Sequence, residues 1–506
     1  MPDVALRHFE LARSFAPNDR DIEQLQAAAA LALARDVSDK SAHSGLDEAE
    51  PSRHEFGAML RRTGSLAHIA DARAELGATA GELGRQTAKL PERAPEPSFH
   101  ARLQRALALA AQGEFADALA ALEDAQQAGA PVPDLQGACA QVGLAAFDRG
   151  SMEVALAAFE SVRDLGPGTV EGWFNCGLVY QKMGRLDDAL SCHEEARRVA
   201  PDNPKIWCNL SSVWFERGDP AQAEKAARRC LALKPDYARA WDNLASALSA
   251  QNRLPEAAEA CQQAIRIQPT LASAWFKFGV VNFQLENMVA AIEAFEMAAE
   301  NPAFRAYVIY YLAMIAARSG EIEEAEERLA QAREADGANE LESAAVKEVA
   351  AGYARAGDYA RAADFYGQIT KKDPGDFSAW LAVGTALHRA EKADVAREAY
   401  LRATQLRPDN PLPWHNLGLL ASDQGRHEES RGYFQREVEL APGDAKAWYD
   451  LGVALKNLGR DNEAAEAFER AEDLVKSLAR RSSDLSAALT IVRRLGLSGR
   501  MLKTEE

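Results

Sequence analysis

Three asparagines, Asn175, Asn209 and Asn243, recur at a spacing of 34 residues. An amide side chain both donates and accepts hydrogen bonds. A row of such amides can pair with the main chain of an extended peptide without reading its side chains. Asn416 continues the same register further along the chain. Large rings accompany the amides. Phe174, Phe276 and Tyr310 stand one place before the register, and Phe215 and Phe283 stand six places after it. Exposed rings on one face are unusual unless something covers them. These nine residues form the candidate peptide-binding set, and the chemistry they offer is recognition.

Covalent chemistry has no comparable support. The sequence holds no P-loop, no Gly-rich dinucleotide turn, no HExxH and no GxSxG. The six cysteines, Cys139, Cys176, Cys192, Cys208, Cys230 and Cys261, form no CxxC pair. They read as reduced packing residues, not as a disulfide framework or a zinc site. Cys192 and His193 are adjacent, so on a helix they point to different sides. The nine histidines show no ligand spacing. The expectation is a protein that is not an enzyme, with no cofactor and no metal.

The elements that must carry the amides are visible in the tryptophans. Trp173, Trp207, Trp241 and Trp275 are 34 residues apart, and so are Trp380, Trp414 and Trp448. The gap between the two sets is three periods plus three residues. A period of this length marks a stack of short supersecondary units. In the unit from Val170 to Asp202, Trp173, Cys176, Gly177 and Tyr180 fall on one face of a first helix. Gly184 breaks that helix. Ala189, His193 and Ala196 lie at i, i+4 and i+7 on a second helix, which Pro201 stops. Gly177 and Ala189 lack bulk where the two helices cross, so the backbones can approach closely. A lone pair cannot bury both faces, so each unit needs a neighbour.

The frame recurs. Around Trp207 it reads Leu210, Gly218, Ala223 and Pro235. Around Trp414 it reads Leu417, Gly418, Gly425, Phe434 and Pro442. Units without the tryptophan keep it around Leu109, Gly143, Leu312 and Tyr353. Eleven units are counted between residues 99 and 475.

This frame resembles the tetratricopeptide repeat family over roughly three quarters of the chain. The resemblance implies an all-α solenoid, a right-handed superhelix of antiparallel helix pairs with a concave groove. It also implies which places face that groove. Counting the tryptophan as the fourth residue of a unit, they are positions 2, 5, 6, 9, 12 and 13 of the first helix. The asparagines hold position 6, and the rings hold positions 5 and 12. The row is similar to the asparagine ladder in the repeat domain of O-linked N-acetylglucosamine transferases, which grips extended peptides. Another mode of the family, the carboxylate clamp for chaperone tails, requires asparagine at position 9. Here position 9 reads Leu178, Ser212, Ser246, Val280, Met314, Ala351, Thr385, Leu419 and Val453. The chain departs from that pattern.

Charge narrows the partner. The 506 residues carry a formal net charge of −18, with a pI near 5.1. Nucleic-acid binding runs on phosphate neutralisation, which an acidic body opposes. No apolar run reaches membrane-spanning length, and no signal peptide is visible at the N-terminus, so the expected location is cytoplasmic. Residues 1–98 read as an N-terminal helical cap or degenerate repeats with a linker. Residues 476–506 read as a capping helix, with Leu485, Leu489 and Val492 on one face, and a basic tail. The expected role is a non-catalytic adaptor or scaffold binding a protein or peptide in the groove. The alternatives are a docking subunit for a separately encoded enzyme, such as a glycosyltransferase, and a scaffold that associates with itself.

Overall fold

The computed structural model describes residues 98–335 and 339–481. Every element in them is an α-helix, twenty-two in all. In order they are α1 Phe99–Gln112, α2 Phe115–Gln127, α3 Val132–Asp148, α4 Met152–Leu165, α5 Val170–Lys182 and α6 Leu186–Val199. Next come α7 Pro204–Arg217, α8 Pro220–Leu233, α9 Ala238–Ala250, α10 Leu254–Ile267, α11 Ala272–Gln284 and α12 Met288–Ala299. Then follow α13 Pro302–Ser319, α14 Ile322–Glu334, α15 Asn339–Arg355, α16 Tyr359–Lys372 and α17 Phe377–Arg389. The last five are α18 Ala393–Leu406, α19 Pro411–Asp423, α20 His427–Leu440, α21 Ala445–Asn457 and α22 Asp461–Arg481. Of the expected cap over residues 1–98 only Ser98 is described, and of the expected capping helix and tail over residues 476–506 only 476–481, which continue α22; the rest of both lies outside the described residues.

The helices divide into two compact units, and the division falls inside α13. The first holds residues 98–315 with 331–335, and the second holds 316–330 with 341–481. Within each, an odd-numbered helix packs against the even-numbered helix that follows, and that helix packs in turn against the odd-numbered helix of the next repeat.

Two devices set this packing. The first is a glycine opposite a ring. Gly143, Gly279, Gly384, Gly418 and Gly452 stand at position 8, and each meets the ring sixteen residues later: Phe159, Phe295, Tyr400, Phe434 and Phe468. A Cβ on Gly279 would come within 2.7 Å of the Phe295 ring, so the glycine is required by contact and not by backbone angle. Ser211 takes this place in α7 and donates to the Ala223 carbonyl at 2.8 Å. Ser430 does the reverse from α20, donating to the Gly418 carbonyl at 2.9 Å. Position 20 is otherwise a fully buried alanine, as at Ala189, Ala223, Ala257 and Ala396.

The second device is the tryptophan comb. Each of the seven indole N–H groups donates to the carbonyl of a proline six residues earlier, at 2.7–3.5 Å, from Trp173 on Pro167 to Trp448 on Pro442. The rings are half-buried. They are therefore pins between the incoming loop and the first helix, and not the deep core residues that their periodicity suggests. Arginines stack on two of them: Arg163 on Trp173, 5.2 Å from the ring centre, and Arg197 and Arg229 on Trp207, at 5.4 and 6.0 Å.

The turn inside each repeat needs one left-handed residue. Gly184, Gly218, Gly425 and Gly459 supply it with φ between 69° and 93°. Asn252, Glu286 and Glu391 adopt the same conformation without being glycine, at φ 62°, 59° and 58°. The repeat tolerates the steric cost of about 1–2 kcal/mol because the flanking helices fix the turn.

Candidate functional site

The groove-facing row of the first unit is built by α5, α7, α9 and α11. Their polar side chains are unlike an ordinary apolar stripe. Asn175 and Asn243 are buried, and Asn209 is half-buried. Asn243 Nδ2 donates to the Cys208 carbonyl on α7 at 3.0 Å. That asparagine therefore ties two neighbouring first helices together. Asn209 differs, because its Nδ2 is buried and has no protein partner. Beside it, Gln181 Nε2 donates to Ser212 Oγ at 3.0 Å and to Glu216 Oε1 at 2.6 Å. Ser212 also donates to Glu216, at 3.2 Å. Burial pushes the Glu216 carboxyl up to about 7, although both hydrogen bonds pull the other way.

The next repeat carries a buried ion pair. Lys277 Nζ on α11 lies 2.8 Å from Asp242 Oδ2 on α9, with both side chains almost without exposure. Ser273 donates to the same carboxylate oxygen at 3.0 Å. Such a pair fixes register more than it adds stability. Every residue from Asp242 to Ser249 is buried, so α9 shows solvent no face over those two turns.

The candidate rings separate into two groups. Phe174 is half-buried, with its ring 5.8 Å from that of His193. Phe215, Phe276, Phe283 and Tyr310 are buried. The Phe276 ring centre lies 5.1 Å from Phe304 and 5.9 Å from each of Phe295, Tyr307 and Tyr311. Phe283 sits 5.4 Å from Tyr311. The expectation of open rings on the groove wall is corrected for these four, all of them buried, and aromatic residues of the following helices cover Phe276 and Phe283. In this state they form core and present nothing to a ligand.

The second unit presents the row differently. Asn416 on α19 is half-buried and Leu419 is 37% exposed. On α21, Tyr449 and Val453 are half-buried, and Lys446 and Lys456 are exposed. Under this surface His415 Nδ1 meets Glu437 at 3.2 Å, and Lys446 Nζ lies 3.3 Å from His415 Nε2. Asp450 stands 3.5 Å from the same Nδ1, and burial raises its carboxyl to about 6.

Sequence reasoning did not single out His193 as unusual. It occupies the place that Phe159, Phe295, Phe434 and Phe468 hold elsewhere, over Gly177. It is fully buried, and neither ring nitrogen has a partner. Burial lowers its pKa to about 4. Comparing the ring position between repeats was the available signal.

All six cysteines are buried, and none is in a disulfide. Burial pushes Cys139 and Cys192 up to about 11 and Cys176 up to about 12, so they stay protonated and are poor nucleophiles. Among the described residues no group of three His, Cys, Asp or Glu side chains could hold a metal ion. No helix among them is long and apolar enough to cross a membrane.

No curated protein matches the sequence. Among solved structures, the chain is similar to MamA from Desulfovibrio magneticus RS-1, at 19% identity over 33% of this chain and 93% of that one, with a TM-score of 0.30. It is also similar to a tetratricopeptide repeat protein from Parabacteroides merdae, at 15% identity over 50% and 98%, with a TM-score of 0.41. Pseudomonas aeruginosa pilF is 20% identical over 42% and 94%, with a TM-score of 0.35. The tetratricopeptide repeat model matches residues 103–170, 176–229, 215–272, 350–411 and 415–484, together more than half of the 506 residues. By its repeated frame, its helix pairs and this match, the chain belongs to the tetratricopeptide repeat family.

Proposed function

We propose that this protein is a non-catalytic scaffold that holds an extended segment of a partner protein across α5 and α7 of the first unit. The family's repeats serve as protein-interaction scaffolds, and the finer reading rests on one observation. Asn209 Nδ2 is a buried donor without a protein partner, while the equivalent amide of Asn243 is engaged by a backbone carbonyl. A buried polar group left unpaired costs about 1–3 kcal/mol. A peptide carbonyl at Asn209 removes that cost. The half-buried Gln181 and Glu216 stand alongside and can serve the peptide's own donors and acceptors. The likeness to the ladder of O-linked N-acetylglucosamine transferases is thereby narrowed to Asn175 and Asn209, with Phe174 as the accessible ring. Asn243 acts between helices.

The test is selection of peptides from a random display library on the intact protein, followed by fluorescence anisotropy with Asn209→Ala and Asn243→Ala. Asn209→Ala weakens the selected peptide with no fall in melting temperature, and Asn243→Ala lowers the melting temperature. Peptide affinity that is the same in Asn209→Ala and the parent protein refutes the assignment.

A further inference from the structure

The second helices of several repeats finish their exposed faces in the same way, with Arg–Glu pairs one turn apart. On α6, Arg197 and Arg198 pair with Glu194 and Glu195, each at 2.6 Å. On α8, Arg228 pairs with Glu224 at 2.8 Å, and on α20 Arg431 pairs with Glu428 at 3.1 Å. Charges on such a face satisfy one another, and water covers the rest.

The helix α12 is built differently. From Met288 to Ala299 it holds no lysine and no arginine. Ala291, Ala294, Phe295 and Ala298 are its buried side. On the opposite side Val289, Ile292 and Glu296 follow at i, i+3 and i+7, with Met297 beside them. Val289 is 70% exposed and Met297 40%, and Leu285, in the turn leading into the helix, is 39% exposed. Ile292 is half-buried. In the frame of the repeat, Val289, Ile292 and Met297 take the places of Glu428, Arg431 and Arg436 on α20, and of Ala221, Glu224 and Arg229 on α8. Aliphatic side chains thus stand where charges stand elsewhere.

One exposed aliphatic side chain needs no ligand. Val395 on α18 is such a case, 52% exposed with Arg397 and Glu398 close by in sequence. That does not account for three along one helix and a fourth in the turn before it. The surrounding charge sets the chemistry of what covers them. Glu286, Glu293, Glu296 and Glu300 are all exposed, and none has a side-chain partner among the described residues. The face is an apolar centre with an acidic rim.

We propose that the exposed face of α12 docks an amphipathic helix of a partner protein, its aliphatic stripe over Val289, Ile292 and Met297 and its flanking lysines or arginines paired with Glu293 and Glu296. An apolar centre inside a polar rim is the ordinary anatomy of a protein interface. A helix suits it because the rows of α12 form ridges that interlock with those of a second helix. A second copy of the same face does not suit it, because a two-fold contact would set the four glutamates against their own copies. An anionic membrane surface is opposed by the same charges. This face does not involve Asn209, and either site can fail without the other.

The experiment is fluorescence anisotropy of a fluorescein-labelled peptide of leucine and lysine, spaced to give one apolar and one basic face when helical, titrated with the full chain at low and at physiological salt. The variants are Val289→Ser/Met297→Ser, Glu293→Lys/Glu296→Lys and, as a matched control on α18, Val395→Ser/Glu398→Lys. All six sites are exposed, and melting curves confirm that each variant is folded. The expected result is binding that weakens about tenfold in each α12 variant and is unchanged in the control. The charge-reversed α12 variant should also lose most of the salt dependence. Equal affinity in the α12 and control variants overturns the proposal, and so does a parent protein that does not bind the peptide. A parent that associates with itself in light scattering, and is monomeric as Val289→Ser/Met297→Ser, overturns it in favour of a second copy. Binding that appears only in Leu485→Ser/Leu489→Ser/Val492→Ser also overturns it, and assigns the face to the chain's own basic C-terminal segment.

Discussion

In α9 every side chain from Asp242 to Ser249 is buried, whereas the equivalent places on α19 and α21 hold Asn416, Leu419, Tyr449 and Val453 at partial or open exposure. The frame of the repeat is the same in both units. Gly279 meets Phe295 in the first as Gly418 meets Phe434 in the second. The difference lies in what fills the groove-facing row. The first unit fills it with rings, an ion pair and amides that bond between helices. The second leaves aliphatic, aromatic and basic side chains in reach of solvent. The residues that stack repeats are therefore held constant, and the residues that face the groove are free to differ. Recognition can be specialised along one chain without changing how it folds.

The largest expected effect tests the closed face. Phe276→Ala removes a ring without exposure and should cost about 3–5 kcal/mol, read by chemical denaturation. Leu419→Ala on the open face should cost under about 1 kcal/mol. Equal losses would erase the contrast between the units. Because each repeat touches only its neighbours, the Phe276 loss should appear as early unfolding of the first unit.

Acid gives the next largest effect, through His193 in the first unit. His193 is held near 4, below the ordinary imidazole value of about 6.5. The unfolded chain therefore takes up the proton first. Stability is full above about 6.5, falls as the pH drops towards 4, and is flat in this term below that. The span amounts to about 3 kcal/mol. His193→Phe places over Gly177 the ring that four other repeats already use. It should stabilise the first unit and remove the loss that His193 causes as the pH falls from 6.5 to 4, leaving the opposite trend of Glu216, whose raised carboxyl gains stability over the same fall. A variant that retains the parent's acid slope would show that His193 is not its source.

The smallest effect should be shared by both units. Trp241→Phe and Trp448→Phe keep a ring but lose the bond to Pro235 and Pro442, at about 1 kcal/mol each, measured as paired melting shifts. A much larger loss at Trp241 would mean that the pin works differently in the closed unit.

Much of this architecture was legible in the chain. The 34-residue comb, the small residues at the crossings and the prolines after the second helices repeat locally, so each unit reports on the others. The left-handed turns at Gly184, Gly218, Gly425 and Gly459 were equally plain. Those at Asn252, Glu286 and Glu391 were hidden, because ordinary residues there accept a conformation imposed by the helices on either side. The candidate site was less legible. Asn209 and Asn243 look identical in sequence, and only the placement of the Cys208 carbonyl distinguishes a bonded amide from an unpartnered one. Phe276 reads as a groove residue by position, but Phe304 and Tyr307, more than 25 residues later, close over it.

The sequence by itself determined the period, the helix pair and the order of stacking, because these depend on contacts within one repeat and between immediate neighbours. The tertiary structure alone decided which groove places are open. Exposure there depends on how closely successive first helices approach, and on rings, amides and cations reaching across from a neighbouring repeat. A tryptophan every 34 residues announces that repeats stack. It does not announce that Asn209 keeps a spare donor, that His193 sits unpartnered over Gly177, or that Val289 and Met297 stand open on α12.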